Sequence, residues 1–357
     1  MQRTYAAAVL GVALLFAPGW CFGQTANIQP ISYQDHFRHP QKEKSYTESW
    51  NYHFMLDSGE TLSFSFLISN LGLASGSATA QLTLSSPHSD PVSVRDEHGG
   101  KSDFNEDRKT GTISIGEQSI EHKDMLTRIR FSKNGAKADL TLHPWFAGFK
   151  VGDGKTIVDR EKGGFYRTFI EIPRCDLEGT LTLNGSTRSI RGAGYMDHTV
   201  SNVLPTSYSR YWYSLRAFFP EHTVVIIEFQ YAPGLGGGRW TLGYAADRNG
   251  LLGVSTDCEV DKSGAFTSRH CTAPTRFAVR MNSGDMKVEG TFSSPELYCC
   301  APVLGDSGWL VQKLASSLVG NMVVCRFRSQ ADLHLTTSSR TVHLEGPAYQ
   351  GVVKMGD

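Results

Sequence analysis

The chain lacks an excess of charge of either sign, and it lacks a long apolar run after its first two dozen residues. Its 357 residues include 35 Lys and Arg and 35 Asp and Glu, so the chain is formally neutral. A neutral chain has no general electrostatic attraction for nucleic acid or for an anionic membrane surface, and we expect neither as a partner. The hydropathy of the later segments predicts no permanent membrane anchor.

The sequence also lacks the familiar motifs of catalysis and cofactor binding. It has no nucleophile elbow, no phosphate-binding loop and no zinc-ligand spacing, and its 12 histidines include no HxH or HExxH pair. The glycine-rich run at residues 234–238 has no Lys-Ser/Thr after it and precedes no predicted helix, so a hairpin loop is the favoured interpretation. We therefore expect no metal and no redox cofactor.

The amino terminus has the pattern of a cleaved secretory signal over residues 1–23. Arg3 supplies a positive start, an apolar run of about a dozen residues follows, and small residues precede Gln24. We expect cleavage after Gly23, with an uncleaved anchor as the alternative. The mature protein is then secreted, or periplasmic if the host is Gram-negative.

An even number of cysteines remains after that segment, which suggests disulfides in an exported chain. Cys258 and Cys271 flank a polar stretch and could close a hairpin, while the other pairings stay open. Asn184 begins a glycosylation sequon, which has meaning only in a eukaryotic host. The six cysteines are Cys175, Cys258, Cys271, Cys299, Cys300 and Cys325.

Alternation of apolar and polar residues with a period of two dominates the chain after residue 45. Trp50, Tyr52 and Phe54 share one strand face, and residues 62–68 alternate in the same way after a turn at residues 57–59. This pattern predicts a hairpin of two half-buried strands. Similar runs, separated by Gly, Asn and Pro turns, continue through the chain and predict β-barrels or sandwiches. The absence of βαβ alternation argues against a parallel α/β fold.

The length of the chain suits two β lobes. We place the boundary at the Pro173-Arg174-Cys175 stretch, which gives an N-terminal lobe over residues 24–172 and a C-terminal lobe over residues 173–357. One segment departs from the strand pattern, because apolar residues at helical spacing predict a single short helix over residues 307–318. The predicted class is all-β, with one helix in the C-terminal half.

The strongest candidates for a site lie on residues 192–198 and on the two strands that follow. If the even-numbered residues of these two strands, 212–218 and 224–230, all face inward, they line an aromatic lumen with a few polar groups, which is typical of a small-molecule site. The candidate catalytic residues are Asp197, His198 and Arg216, and the candidate ligand-binding residues are Tyr195, Tyr211, Trp212, Tyr213, Phe218, Glu228, Gln230 and Trp240.

Each of these residues also has a purely structural interpretation. Asp197 could cap a turn through its side chain, and His198 could be a hydrogen-bonded core histidine. Arg216 and Glu228 could form an ion pair across neighbouring strands, and Trp212 could be a core residue. Their concentration near one glycine-rich strand favours the functional interpretation.

The stretch Gly192-Ala193-Gly194-Tyr195-Met196-Asp197-His198 resembles the Gly-x-Gly-Tyr-x-Asp-His signature of the carotenoid hydratase (hydroxyneurosporene synthase) superfamily. Relatives of that superfamily include fungal Diels–Alderases that close decalin rings and kievitone hydratase. Short blocks at residues 49–52, 68–70, 172–180 and 210–212 are also similar to the fungal survival-factor family, which is associated with ceramide carriage. The hydratase signature continues Asn-Trp-Gly, whereas this chain has Thr-Val-Ser at residues 199–201.

The resemblance implies two lipocalin-like β lobes with a ligand cavity in or between them, and chemistry without a redox cofactor. The expected function is that of a hydratase-like lyase or a cyclase acting on a large apolar molecule of the prenylated, polyene or polyketide type, held in a β calyx. The alternative is a carrier of a lipid or another hydrophobic ligand. The survival-factor pattern lacks the acid that Asp197 supplies here, which favours an enzyme.

In the enzyme, Asp197 would protonate an alkene if burial raised its pKa. His198 would orient Asp197 or relay water, and aromatic rings near it would stabilise a carbocation. In a pericyclic variant, Tyr195, Arg216 or His198 would polarise a carbonyl. In the carrier, Asp197 would form an ion pair with Arg210 or Arg216 and be structural.

Overall fold

The computed structural model describes residues 26–70, 76–87, 89–99, 103–159, 161, 163–235, 237–302 and 322–355. These residues form two large antiparallel sheets and one two-stranded sheet, which confirms the expected all-β class. Their single α-helix, α1 (Pro205–Tyr208), has one turn, and two 3-10 turns cover Tyr33–His36 and Pro233–Leu235. The helix expected over residues 307–318 lies outside the described residues.

The first sheet has fourteen strands. In chain order they are β1 (Ile28–Pro30), β2 (Thr47–Leu56), β3 (Thr61–Ser69), β4 (Ser77–Ser85), β5 (Val92–His98), β6 (Phe104–Asp107), β7 (Thr112–Ile115), β8 (Gln118–Lys123), β9 (Leu126–Lys133), β10 (Ala136–Pro144), β11 (Phe149–Val151), β12 (Lys155–Asp159), β13 (Gly164–Leu183) and β14 (Ser186–Ser201). Along the sheet they follow the order β5-β4-β3-β2-β14-β13-β10-β9-β8-β7-β6, with β11 and β12 paired to β13 and β1 paired to β11.

The second sheet has nine strands, and a short hairpin accompanies it. The strands are β15 (Ser209–Phe218), β16 (His222–Tyr231), β17 (Arg239–Asp247), β18 (Gly250–Ser255), β19 (Cys258–Ser263), β22 (Arg276–Ser283), β23 (Met286–Pro302), β24 (Val323–Thr336) and β25 (Thr341–Lys354), and the hairpin is β20 (Phe266–Thr267) with β21 (Thr272–Ala273). The order along the sheet is β18-β17-β16-β15-β25-β24-β23-β22-β19.

Each sheet curls until its far strands meet, and so encloses an interior. In the first sheet, Asp96 of β5 accepts a hydrogen bond from Gln118 of β8 at 2.9 Å and lies 2.6 Å from Nζ of Lys133 in β9. In the second, a Cβ at Gly253 of β18 would meet the Met286 side chain of β23 at 2.8 Å. The result is the pair of lipocalin-like lobes that the resemblance implied.

The interior of the first lobe is packed with side chains. Every second residue of β2 is buried, as the period of two predicted, and β2 pairs with β3 in the expected hairpin. The largest rings of this core include Trp50, Tyr52, Phe54, Phe64, Phe66 and Phe131, all at most 2% exposed. These rings fill much of the interior of the first lobe. The ligand cavity that the resemblance implied, in or between the lobes, stays a prediction.

The chain passes from one sheet to the other between Ser201 and Ser209. The boundary expected at residue 173 instead falls inside β13, a strand of 20 residues that runs unbroken through the first sheet. Alternation in the sequence does not mark where the first sheet ends, because β13 and β14 continue as strands on both sides of the expected boundary. In terms of sheets, the first lobe ends with β14 and the second begins with β15.

The disulfide of the described chain joins Cys300 in β23 to Cys325 in β24. The expected hairpin bond between Cys258 and Cys271 is wrong, since both thiols are free and buried. Cys258 is paired in register with Met281, whereas Sγ of Cys271 lies 2.8 Å from Sγ of Cys325. Cys271 lies in the turn between β20 and β21, whereas Cys258 begins β19, so the hairpin does not place the two thiols opposite each other. No helix among the described residues has the length and apolar character needed to cross a membrane.

Gly192 tests the packing of β14 on β2. A Cβ at this position would lie 2.2 Å from the backbone oxygen of Met55 and 2.9 Å from Cα of Leu56. Gly192→Ala should therefore lower the free energy of unfolding by about 1–3 kcal/mol, because overpacking forces the strands apart. Urea denaturation measures the change.

The matched control is Gly99→Ala, since nothing lies within 4 Å of a Cβ built there. It should change the stability by less than about 0.5 kcal/mol. Equal effects of the two substitutions would contradict the close approach of β14 to β2.

Candidate functional site

Asp197 and His198 are neighbours on β14, and their side chains lie on opposite faces of the strand, as alternation requires. His198 points into the first lobe, where its ring stacks on Trp50 with centroids 4.4 Å apart. Asp197 points toward the second lobe, where its Oδ2 lies 3.9 Å from Nη2 of Arg216. The expectation that His198 orients Asp197 is therefore wrong.

Asp197 lies in a protected position between the two lobes. It is 7% exposed, and its Oδ1 accepts a hydrogen bond from Nδ2 of Asn51 at 2.9 Å. Burial raises the pKa of Asp197 above its ordinary value, because the charged form loses its hydration, while Arg216, Asn51 and Tyr195 act in the opposite direction. The protonated acid is thus easier to form here than on a surface aspartate.

Arg216 of β15 forms the opposite wall of this site. Its guanidinium lies 4.6 Å from the ring centroid of Tyr195 and 5.7 Å from that of Tyr349. Nη1 donates a hydrogen bond to Oγ of Ser214 at 3.2 Å, whereas Nε is buried without a partner. An unpartnered donor on a buried cation is available to an acceptor on a ligand.

His53 of β2 lies on the same side and was not a candidate from the sequence. Its ring is 6.5 Å from that of Tyr195 and 6.1 Å from that of Tyr349. Burial holds the pKa of His53 well below its ordinary value, and the cations of Arg216 and Arg326 add to the effect. His53 is therefore a neutral imidazole beside the Asp197–Arg216 pair.

An aromatic cluster continues the site along the boundary between the lobes. The Trp212 ring lies 5.7 Å from the ring of Tyr166 and 5.0 Å from that of Phe229, which is in turn 4.9 Å from the ring of Trp240. Nε1 of Trp212 is buried without a hydrogen-bond partner. Burial raises the pKa of Tyr166, and the nearby carboxylate of Asp197 raises it further. Asp197 therefore lies beside this cluster.

The candidate residues of the second lobe divide between two faces. Trp212, Arg216, Phe218 and Trp240 face the first lobe, where Arg216 lies over the ring of Tyr195, whereas Tyr211 and Tyr213 belong to the interior of the second lobe. Glu228 pairs in register with Tyr213, and its partner is Nζ of Lys262 at 2.6 Å. Gln230, two residues further along β16, lies on the same strand face as Glu228.

The prediction that the even-numbered residues of β15 and β16 share one inward face is therefore wrong. The physical reason is the register, because Arg216 lies opposite Val225 and Tyr213 lies opposite Glu228. Each pair joins an even-numbered residue to an odd-numbered one, and paired residues share a face of a sheet. The expected Arg216–Glu228 ion pair does not form for the same reason.

The space around the site is divided into a small cavity and two grooves. The cavity beside Arg216, also lined by His53, Phe218 and Tyr349, measures about 10 Å³, which is room for about one water molecule. A groove of about 380 Å³ reaches Trp240 of the aromatic cluster. A second groove, of about 560 Å³, reaches Phe218. The buried pair thus adjoins larger spaces at the boundary of the lobes.

His198 takes part in a separate network inside the first lobe. Its Nε2 lies 2.8 Å from Oε1 of Glu48 and its Nδ1 lies 3.0 Å from Oε1 of Glu171. The two carboxylates raise the pKa of His198 to about 10 despite complete burial, which by itself lowers it. The ring is therefore charged at neutral pH, and the interpretation of His198 as a hydrogen-bonded core histidine fits the geometry.

The fold that holds this site is shared by solved structures. No family model matches the chain, and no curated protein matches it in sequence. The chain has the all-β, lipocalin-like fold that the resemblance of residues 192–198 suggested. The similar structures are 11–12% identical to it in sequence, so the likeness is one of fold.

Three of these structures represent the likeness. A protein provisionally named AttH from Nitrosomonas europaea is 11% identical with a TM-score of 0.60, over 91% of this chain and 97% of that one. CghA in complex with Sch210972 is 12% identical with a TM-score of 0.62, over 88% and 89%. Kievitone hydratase from Nectria haematococca is 12% identical with a TM-score of 0.57, over 94% and 95%.

The Asp197–Arg216 pair makes a testable contribution to stability. Arg216→Met leaves a buried carboxylate without its cation, which should lower the free energy of unfolding by about 3 kcal/mol at pH 7. Because the neutral acid needs no cation, the deficit should shrink as the pH falls below the pKa of Asp197. Urea unfolding at a series of pH values measures both effects.

Arg128→Met is the matched control, since Arg128 forms a bidentate pair with Asp139 on the exposed surface. That substitution should cost about 1 kcal/mol or less. An Arg216→Met deficit that stays the same at acidic pH would show that the loss comes from packing and not from the charge pair.

Proposed function

We propose that the protein is a cofactor-independent lyase or cyclase that acts on a large apolar small molecule bound between its two lobes. The observation that carries the proposal is the buried Asp197, whose pKa is raised by burial and which faces Arg216 across a site walled by aromatic rings. When Asp197 takes up a proton, its carboxyl group and the partly unpartnered guanidinium give an acid and a hydrogen-bond donor in one place.

In a hydration, Asp197 would donate its proton to one carbon of an alkene and water would add to the other. The added water would then lose a proton to the Asp197 carboxylate, which regenerates the acid. The developing carbocation would be stabilised by rings near the acid, of which Tyr195, Tyr166 and Trp212 are the candidates. General acid catalysis of this type is worth roughly 10²–10⁴-fold in rate.

In a cyclisation, the site would fold a polyene into a reactive conformer. Holding two reacting groups in the correct orientation removes roughly 7–11 kcal/mol of a barrier in ideal cases. Nε of Arg216, which has no partner, would donate a hydrogen bond to a carbonyl of the substrate and draw electron density from its alkene. This form of the reaction needs no proton transfer from Asp197.

The similar structures support a reaction of this class. One of them is named a hydratase, and CghA was solved with the small molecule Sch210972 bound. Both have a similar fold at low sequence identity, so the likeness does not identify the substrate of this chain. What this chain shares with them is the fold.

Substrate entry requires movement, because the cavity beside Arg216 holds about 10 Å³. Phe218 and Tyr349 line that cavity, and Phe218 also borders the groove of about 560 Å³. Rotation of these two rings, or a small separation of the lobes, would join the spaces. A ligand would then contact Arg216 and Asp197 from the groove.

Asp197→Asn tests the enzymatic function. Natural ligands that co-purify with the protein are identified by mass spectrometry, and a panel of carotenoids, prenylated phenols, linear polyketides and ceramide is assayed for turnover and binding. For a hydratase, the substitution should lower product formation by roughly 10²–10⁴-fold and retain ligand affinity. Asp139→Asn, at an exposed acid paired with Arg128, is the control and should leave turnover unchanged.

The pH dependence gives a second measurement of the same acid. Because the pKa of Asp197 is raised above 3.8, the rate of a hydratase should fall as the pH rises through that higher value, since the acid form is lost. A rate independent of pH, with full activity in Asp197→Asn, contradicts the hydratase. If Arg216→Lys then loses turnover while binding survives, the cyclase is supported.

A carrier is the second candidate, and one observation favours it. The contact between Asp197 and Arg216 at 3.9 Å is the ion pair that a non-catalytic site would use to neutralise a buried acid. Tight binding of a panel member without turnover, in the wild type and in Asp197→Asn alike, would support carriage.

Export through residues 1–23 and glycosylation at Asn184, on the exposed turn between β13 and β14, stay predictions.

A further inference from the structure

Three side chains of metal-ligand type converge inside the first lobe, on the side of the sheet away from Asp197. His36 comes from the 3-10 turn before β2, His122 from β8 and Glu171 from β13. One ligand atom of each lies within 4.8 Å of the other two. The three residues are far apart in the sequence, so no local sequence motif indicates that they lie together.

His122 is the residue whose environment is least explained by packing alone. Its Nδ1 lies 3.1 Å from Oγ1 of Thr127, and its Nε2 is buried without a partner. A buried polar atom without a partner costs roughly 1–3 kcal/mol. If Nδ1 carries the ring proton and donates a hydrogen bond to Oγ1 of Thr127, Nε2 carries the free lone pair. This tautomer of the neutral ring can bind a metal through Nε2.

We propose that Nδ1 of His36, Nε2 of His122 and a carboxylate oxygen of Glu171 form a binding site for a divalent transition-metal ion such as Zn²⁺. Two imidazoles and one carboxylate are a ligand set that Zn²⁺ uses in proteins, with a fourth position left for water. Oε2 of Glu171 already contacts Nδ1 of His36, and the side chain of His36 is 22% exposed, which gives an ion a path inward.

The two rings must turn for the site to close. The His36 and His122 rings are stacked, with centroids 4.7 Å apart and planes 19° from parallel, whereas ring lone pairs converge on a common ion only when the planes are inclined. The ligand atoms must also come to about 2.0–2.2 Å from the metal. His36 lies on a short 3-10 turn and not in the sheet, so it is the ligand best placed to move.

The surrounding groups have the arrangement of an outer coordination shell. Oε1 of Glu171, the oxygen not bonded to His36, lies 3.0 Å from Nδ1 of His198, which is held from its other side by Glu48. Thr127 holds His122 in the same way. Outer-shell partners of this kind fix the orientation of metal ligands and commonly contribute about 10–100-fold to affinity.

An exposed group on the second lobe could also bind metal and must be separated in the test. Asp332, His334 and His343 lie on the surface of β24 and β25, with the two rings stacked at 4.8 Å. Its residues are all solvent-exposed, so binding there would be adventitious. The double variant His334→Ala/His343→Ala removes it without touching the first lobe.

The experiment titrates Zn²⁺ alone into the full chain by isothermal calorimetry, without reductant so that the Cys300–Cys325 disulfide stays closed. We expect one equivalent of Zn²⁺ to bind, and the same equivalent in His334→Ala/His343→Ala. His122→Leu should weaken binding by more than about 100-fold, because a direct ligand matters at least as much as an outer-shell partner.

A second variant keeps the test decisive if His122→Leu fails to fold. Thr127→Val has nearly the same shape and removes the hydroxyl that positions His122, and it should weaken Zn²⁺ binding by about tenfold. The visible spectrum of bound Co²⁺ reports nitrogen and oxygen ligation in the surface double variant. No Zn²⁺ binding by the wild type, binding lost in the surface double variant, or unchanged affinity in both first-lobe variants would overturn the proposal.

Discussion

The burial of the second half of β14, residues 194–201, on both faces is the constraint on which the rest of the structure depends. One face of the strand closes the interior of the first lobe, and the other is covered by the second lobe. Each buried polar residue in this half of the strand therefore needs a partner within the protein, on whichever face it lies. Asp197 finds Asn51 and Arg216 across the boundary between the lobes, while His198 finds Glu48 and Glu171 within the first lobe.

The two faces solve the problem of buried charge differently. Around His198 the charges are closely paired, and the neighbouring carboxylates raise the pKa of the histidine while the histidines lower the pKa of Glu171. Around Asp197 the pairing is looser, with the cation at 3.9 Å, and burial prevails over it in setting the pKa. A tightly paired network rigidifies a fold, whereas an acid that remains easy to protonate is available for chemistry.

This division separates two possible roles within one fold. The boundary between the lobes combines the acid, the guanidinium and the aromatic rings, with grooves that end at Phe218 and Trp240. The interior of the first lobe instead combines imidazoles and carboxylates around the turn that bears His36. A metal ion there would fasten the segment before β2 to the sheet. Its role would be structural and separate from the reaction proposed at Asp197.

The sequence by itself determined the strands, because alternation with a period of two records which residues of β2 and β3 are buried, and it marked residues 192–198 as unusual. Alternation puts Asn51 and His53 on the face of β2 opposite Trp50 and Tyr52, but it does not determine that a second lobe covers this face. The register of β15 on β16, the separation of Asp197 from His198 and the approach of His36, His122 and Glu171 follow from how the sheets curl and dock. Those contacts join residues distant in the chain, and local periodicity carries no record of them.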